Sequence, residues 1–253
     1  MKEVLGIIPA RYASTRFPGK PLVLIKNKPM IQWAYERSAD AFDVLYVATD
    51  DQRIKDAVLG FGGRVVMTSP DHSSGTERCR EAMDLVKAES GIDFSYVVNI
   101  QGDEPLIKPE QLKELVECIR QPSTDIATLI HPFGDDEDVS DPNKVKVVID
   151  KYARALYFSR AAIPYFRDTE IGSSENEKEG SGPDYFKHIG LYAYTQKALK
   201  LITRLPSSPL EKAESLEQLR WLEHGFTIRT SISDYESIGV DTPEDLERLE
   251  DLM

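Results

Sequence analysis

The chain has 253 residues, 41% of them hydrophobic, with a formal net charge of −12 and two cysteines. This is enough apolar material for one large domain or two small ones, and too few cysteines for a disulfide framework. The acidity disfavours a general nucleic-acid binder, no apolar run approaches the ~18 residues of a membrane span, and the N-terminus lacks a basic-then-apolar signal pattern, so a soluble intracellular (cytoplasmic) protein is expected.

The apolar run Val4–Ile8 reads as a strand buried on both faces. It stops at Pro9 and opens into a loop carrying Arg11, Arg16 and Lys20 among small residues, including Ala10. A buried parallel strand that empties into a basic loop is where open α/β sheets bind nucleotides. Ala13, Ser14 and Gly19 let backbone N–H groups approach phosphate oxygens. The loop is not a Walker sequence, because Ser14 and Pro21 stand where Gly and Ser/Thr are required. It is not a dinucleotide fingerprint either, and Gly60-Phe61-Gly62-Gly63 fails that test at Val65. Taken alone, it is either a phosphate cradle or a solvated basic turn.

Further strands are predicted at 44–48, 64–68, 96–100 and 126–130, with helices between them. Cys79, Ala82, Met83 and Val86 recur at helical spacing, as do Leu112, Leu115, Val116 and Ile119 behind Pro109 as first helical residue. Cys79 and Cys118 fall in these helices without a close Cys or His partner, so two reduced thiols are expected. The alternation predicts a doubly wound, mostly parallel sheet. It breaks after about residue 132. A hairpin is expected from 145–149 and 153–158 around Asp150-Lys151-Tyr152, then a strand at 189–194, a helix near 196–204, one longer helix over 210–223 ending at Gly225, and a last strand at 227–232. Thr242-Pro243-Glu244-Asp245 is a helix start with Thr as cap. Residues 168–184 carry almost no apolar side chain and are expected to form a mobile surface loop.

Several polar residues have two readings. Asp103, after the 96–100 strand, and Asp241, before the last helix, are either Mg²⁺ carboxylates or a turn residue and a helix-start acid. Ser74, Gly75 and Arg78 open a helix either as cap and first turn or as groups facing a base. His188 and Tyr192 share one face of a strand, at the core, the rim or a pocket. Glu217 and Gln218 lie in an amphipathic helix and would ordinarily be solvated.

Together the blocks Ile-Pro-Ala-Arg-Tyr-Ala-Ser-Thr-Arg-Phe-Pro-Gly-Lys-Pro-Leu (8–22), Val-Ala-Thr-Asp-Asp (47–51), Ser-Gly-Thr-Glu-Arg (74–78), Asn-Ile-Gln-Gly-Asp-Glu-Pro (99–105), Val-Lys-Val-Val (145–148), Ala-Leu-Tyr-Phe-Ser-Arg (155–160), Leu-Glu-Gln-Leu-Arg (216–220) and Val-Asp-Thr-Pro-Glu-Asp (240–245) resemble the 3-deoxy-manno-octulosonate cytidylyltransferases, the CMP-Kdo synthetases, from one end of the chain to the other. The resemblance implies Mg²⁺-dependent formation of CMP-Kdo and pyrophosphate from CTP and Kdo for lipopolysaccharide synthesis, by a homodimer. It implies a triphosphate site at Arg11 and Lys20 beside Pro9 and Ala10, and metal ligands Asp103 and Asp241. It also implies a cytosine-side segment at Ser74, Gly75 and Arg78, and a sugar pocket at Gln101, Arg160, His188, Tyr192, Glu217 and Gln218. On this basis residues 1–132 form the nucleotide-binding α/β part of a nucleotidyltransferase-type fold. Residues 133–226 form a smaller α+β part for sugar binding and dimerisation, and 227–253 return to the main sheet. A relative acting on 8-amino-Kdo or a sialic acid is the alternative. The segment 168–184 departs from the family in being longer and more polar.

Overall fold

The computed structural model describes residues 3–13, 17–167, 184–236, 239–240 and 242–252. Strand β1 (Val4–Ala10) lies within a sheet and is buried along most of its length. Leu5 and Ile7 pack into one core and Val4 and Ile8 into the other. This alternation is why the run is apolar at every position: a strand covered on both faces has no polar side.

A 3-10 turn at Lys20–Leu22 follows, then a small ribbon of β2 (Leu24–Ile25) and β3 (Lys28–Pro29). The chain continues through α1 (Met30–Ala39), β4 (Leu45–Thr49), α2 (Gln52–Gly60), β5 (Val65–Met67), α3 (Gly75–Ser90), β6 (Tyr96–Asn99), α4 (Pro109–Ile119) and β7 (Ile126–Pro132). Asp51 caps α2, and Ser74 caps α3, which stops at Gly91 with φ 69°. Pro109 opens α4 as the sequence predicts. Cys79 and Cys118 are free, buried thiols in α3 and α4; burial pushes the Cys79 thiol well above its usual range and Cys118 up to about 11, so neither is a ready thiolate near neutral pH.

The hairpin of β8 (Lys146–Ile149) and β9 (Ala155–Ser159) and the long β10 (Phe186–Thr195) come next. They are followed by α5 (Gln196–Ile202), α6 (Pro209–Glu214), α7 (Glu217–Glu223), β11 (Ile228–Ile232) and α8 (Pro243–Leu252). The single helix expected over 210–223 is two. Ser215 adopts φ 53°, a left-handed break that an apolar periodicity does not reveal. The expected loop 168–184 falls outside the described residues except Asp184, as does Asp241.

The main sheet runs β11-β7-β10-β6-β1-β4-β5, with the β8–β9 hairpin joined to the start of β10. The pairs β1–β4, β4–β5, β1–β6 and β11–β7 are parallel, and β10 is antiparallel to both neighbours. The α3 residues Ala82, Met83 and Val86 and the α5 residues Leu199 and Ile202 cover one face. Residues of α1, α2 and α4 (Ile31, Ile54, Val58, Leu112 and Leu115) cover the other. From β1 the chain moves outward to β4 and β5, then crosses to β6 on the other side of β1. The connections after β1 and β6 therefore diverge, leaving a crevice at their carboxyl ends.

Candidate active site

A cavity of about 380 Å³ occupies that crevice, which is ample for a small polar ligand. Pro9, Ala10 and Arg11 come from the end of β1, and Lys20 from the turn beyond it. Ser74, Gly75 and Arg78 come from the start of α3, and Gln101 and Asp103 from the loop after β6. These nine residues, named from the sequence for nucleotide, metal or sugar, are brought together. His72, Ser73, Pro21 and Gly102 also line the cavity and were not singled out. The signal for His72 and Ser73 was their position directly before the Ser-Gly pair.

Close packing explains two glycines here. A Cβ on Gly102 would lie 3.2 Å from Ile8 Cγ2 and 3.4 Å from Pro9 O, so glycine lets the β6 loop press against β1. A Cβ on Gly75 would lie 3.3 Å from Pro9 Cγ, so the first turn of α3 sits on the end of β1. That turn brings its N–H groups and dipole to the cavity wall.

Charge in the site is arranged in pairs. Lys20 Nζ lies 2.6 Å from Asp103 Oδ2 and donates to Val240 O at 2.8 Å, while Val240 N donates to Asp103 O at 2.9 Å. The turn after β1, the loop after β6 and the segment before α8 are thus tied at the cavity, and an incoming ligand meets a lysine and a carboxylate already compensating each other. Arg11 is exposed at the lip. Arg78 is buried, donates to Thr68 Oγ1 at 2.6 Å and lies 3.3 Å from Asp50, so it braces the cavity wall between the ends of β4 and β5. The preceding loop is fastened to α3 by carboxylates. Glu81 accepts from Ser69 N at 2.8 Å and also bonds His72 Nε2, while Glu77 accepts from Ser73 N at 2.8 Å.

The remaining sugar-pocket candidates do not line this cavity. Gln101 donates to Gly190 O at 2.8 Å and so links the cavity to β10. On β10, His188 and Tyr192 rings lie 5.2 Å apart, with Phe158 edge-on to His188 at 5.1 Å. Burial pushes the His188 imidazole down to about 3. Thr128 Oγ1 lies 2.8 Å from Leu191 O and gives its proton there, which leaves His188 Nε2–H to donate to Thr128 at 2.9 Å. His188 is therefore a neutral, packed residue. The Tyr192 hydroxyl is buried without a partner among the described residues, and burial holds its pKa well above the usual phenol value.

Glu217 accepts from Thr76 Oγ1 at 2.6 Å and from Arg220 Nη2 at 2.7 Å. Burial raises its pKa, opposed by the Thr76 bond and by Arg220. It joins α7 to the first turn of α3. Gln218 beside it is buried. Arg160 spends Nε on Glu214 O and Nη1 on Pro142 O, each at 2.8 Å, so in this state much of its donor fork is engaged by backbone. Asp241 lies outside the described residues, but its chain neighbour Val240 is the residue bonded to Asp103 and Lys20.

A switch-point crevice lined by cations, a carboxylate and a helix start defines a nucleotide-handling α/β enzyme. A family model described as cytidylyltransferase matches residues 5–232. The chain is 54% identical over 254 residues to 3-deoxy-manno-octulosonate cytidylyltransferase of Bacteroides thetaiotaomicron, covering 99% of this chain and 98% of that one. It is 48% identical to 8-amino-3,8-dideoxy-manno-octulosonate cytidylyltransferase of a Shewanella strain, covering 98% and 97%. Among solved structures, CMP:2-keto-3-deoxy-manno-octonic acid synthetase complexed with CTP superposes with TM-score 0.86 at 42% identity, covering 99% of this chain and 98% of that one. The chain belongs to the 3-deoxy-manno-octulosonate cytidylyltransferase family.

Proposed function

We propose that the protein transfers CMP from CTP to 3-deoxy-manno-octulosonate (Kdo), forming CMP-Kdo and pyrophosphate. The observation that carries this reading is the convergence of Arg11, Lys20, Gln101, Asp103 and the start of α3 on one cavity at the switch point of the sheet. The CTP complex of the similar solved synthetase supports it.

In the proposed reaction the anomeric hydroxyl oxygen of the sugar attacks the α-phosphorus. A new P–O bond forms as the bond to the α–β bridging oxygen breaks, pyrophosphate leaves with that electron pair, and the hydroxyl proton is released to water. Two anions must first be brought together. Arg11 and Lys20 offset that repulsion and stabilise charge growing on pyrophosphate, while the N–H groups of the first α3 turn orient the nucleotide. Gln101, bonded to Gly190 of β10, is placed to connect the nucleotide cavity with the sugar side.

Magnesium belongs to this proposal. Among the described residues no group of three or more His, Cys, Asp or Glu is gathered for a metal. Mg²⁺ takes one or two carboxylates and completes its octahedron with water and phosphate oxygens. Asp103 offers a hard oxygen at the cavity and would hold the ion, with Asp241 as second ligand. When bound, the ion would supply positive charge against the phosphate oxygens.

Residues 133–226 would supply the sugar-binding and dimerisation part, with Arg160, His188, Tyr192, Glu217 and Gln218 shaping the sugar side. The unpartnered Tyr192 hydroxyl supports a polar occupant near β10. Exposed Tyr152 and Leu156 on the β8–β9 hairpin support a homodimer contact there, which sedimentation velocity checks. The setting would be lipopolysaccharide synthesis in the cytoplasm. Among the described residues no helix is long and apolar enough to cross a membrane. The Shewanella relative favours a second reading, in which the sugar is the 8-amino analogue.

Pyrophosphate release with CTP, Mg²⁺ and a panel of 3-deoxy sugar acids tests the proposal. Turnover is expected with Kdo and CTP. Turnover only with the 8-amino sugar selects the second reading, and none with any member of the panel refutes both.

A further inference from the structure

Arg53 lies on α2, outside the cavity, and more than half of its side chain is exposed. It is nevertheless held on two sides. Asp51 accepts from Arg53 Nε at 3.0 Å and from Nη2 at 2.6 Å. That fork fixes the guanidinium plane over the Tyr12 ring, 3.3 Å from its centroid. The Tyr12 ring also meets Gly19: a Cβ there would lie 3.1 Å from three of its atoms, and Gly19 adopts φ 73°. Tyr12 O in turn accepts from Gly19 N at 2.9 Å. Gly19 directly precedes Lys20, whose ammonium reaches Asp103 and Val240.

We propose that Arg53 and Tyr12 are positioning residues for the triphosphate. Their stack fixes the Tyr12 ring against Gly19, and this sets where Lys20 points. The chain of contact runs from Asp51 at the end of β4, through the Arg53 fork, to the Tyr12 ring, Gly19 and Lys20. Exposed ion pairs contribute little to folding, so stability does not account for a fork this well formed. Holding Gly19 and Lys20 in place does, because it lowers the entropy that a phosphate-binding lysine must lose on binding. The proposal rests on reading Lys20 as a ligand of the distal phosphates.

The test is calorimetric titration of CTP and CMP, with Mg²⁺, against Arg53→Ala, Tyr12→Phe, Tyr12→Leu, Arg53→Ala/Tyr12→Leu and Lys20→Ala. Arg53→Ala keeps the backbone N–H that Asp51 caps at 2.9 Å, so α2 and the melting temperature are retained. It should weaken CTP about fivefold and leave CMP within about twofold, on the scale of one exposed cation–π contact. Tyr12→Phe keeps the ring and should bind both nucleotides as the parent does. The double variant should bind CTP no more weakly than Tyr12→Leu alone, because both changes break one contact. Additive losses, equal losses for CTP and CMP in Arg53→Ala, or parent-like CTP affinity there would overturn the proposal. If Lys20→Ala separates CTP from CMP and Arg53→Ala does not, the positioning role alone fails. If Lys20→Ala weakens both equally, the triphosphate reading is wrong and the positioning role falls with it.

Discussion

Replacing Lys20 with alanine removes a side chain that is only 13% exposed and is bonded to a carboxylate, itself 33% exposed, and to a backbone carbonyl. Removing one member of a desolvated charge pair typically costs 2–5 kcal/mol of binding, but Lys20 is already compensated before the nucleotide arrives. Binding therefore exchanges Asp103 for phosphate rather than creating a new pair. The loss should fall at the low end, about 2–3 kcal/mol, or roughly 30- to 150-fold in the Kd for CTP. CMP lacks the distal phosphates and should lose no more than about threefold. The fold should lose only about 1 kcal/mol, because the Lys20–Asp103 pair is partly solvated, and Tm should fall by about 2–4 °C. Calorimetric titrations of the two nucleotides, with a thermal melt of the same samples, measure all of this. Equal losses for CTP and CMP, or undiminished CTP affinity, would refute the placement of Lys20 at the distal phosphates.

Asp103→Asn should keep the fold and lower kcat by at least about 100-fold, with partial recovery at high Mg²⁺, since a neutral amide is a poor ligand for a hard cation. Steady-state rates across a Mg²⁺ series check it, and parent-like turnover at low Mg²⁺ removes Asp103 from the site. Gly75→Ala adds a methyl 3.3 Å from Pro9 Cγ at the cavity wall, so the first turn of α3 must shift off the end of β1. KM for CTP should rise about fivefold and Tm should fall slightly, and an unchanged KM would contradict this. His188 has a native pKa of about 3, below its ordinary 6.5, so the stability held by its neutral ring is present above pH 6.5 and is lost as the pH falls toward 3. Because the residue is not fully sealed from solvent, about 2 kcal/mol should disappear between pH 6.5 and 4.5. Urea melts of the parent and His188→Phe should differ in slope over that interval, and parallel curves would show that the ring does not titrate with folding.

The parallel sheet was legible because strands covered on both faces must be apolar at nearly every position, and Val4–Ile8 meets that demand. The residues that line the cavity were legible for a related reason. Arg11 and Asp103 follow closely on the ends of β1 and β6, which leaves them little freedom to lie anywhere but the carboxyl edge. The β2–β3 ribbon was not anticipated, because two-residue strands carry no periodicity and its turn depends on positive φ at Lys26 and Asn27. The break at Ser215 is likewise a single backbone angle inside a continuous apolar pattern. Arg160 shows a different limit. Its residue type suits a sugar carboxylate, but which atoms occupy the fork depends on Glu214 and Pro142, which are distant in sequence. The Arg53–Tyr12 stack joins residues 41 positions apart, a pairing that local pattern cannot disclose.

Attack by the anomeric oxygen of the sugar on the α-phosphorus of CTP is tested most directly by ³¹P NMR of a reaction run with Kdo carrying ¹⁸O at its anomeric hydroxyl. The proposed chemistry predicts one new phosphodiester signal, shifted by the isotope because the labelled oxygen now bridges sugar and phosphorus, together with unlabelled pyrophosphate. A product without the isotope shift, or CMP and pyrophosphate from simple hydrolysis, would contradict it.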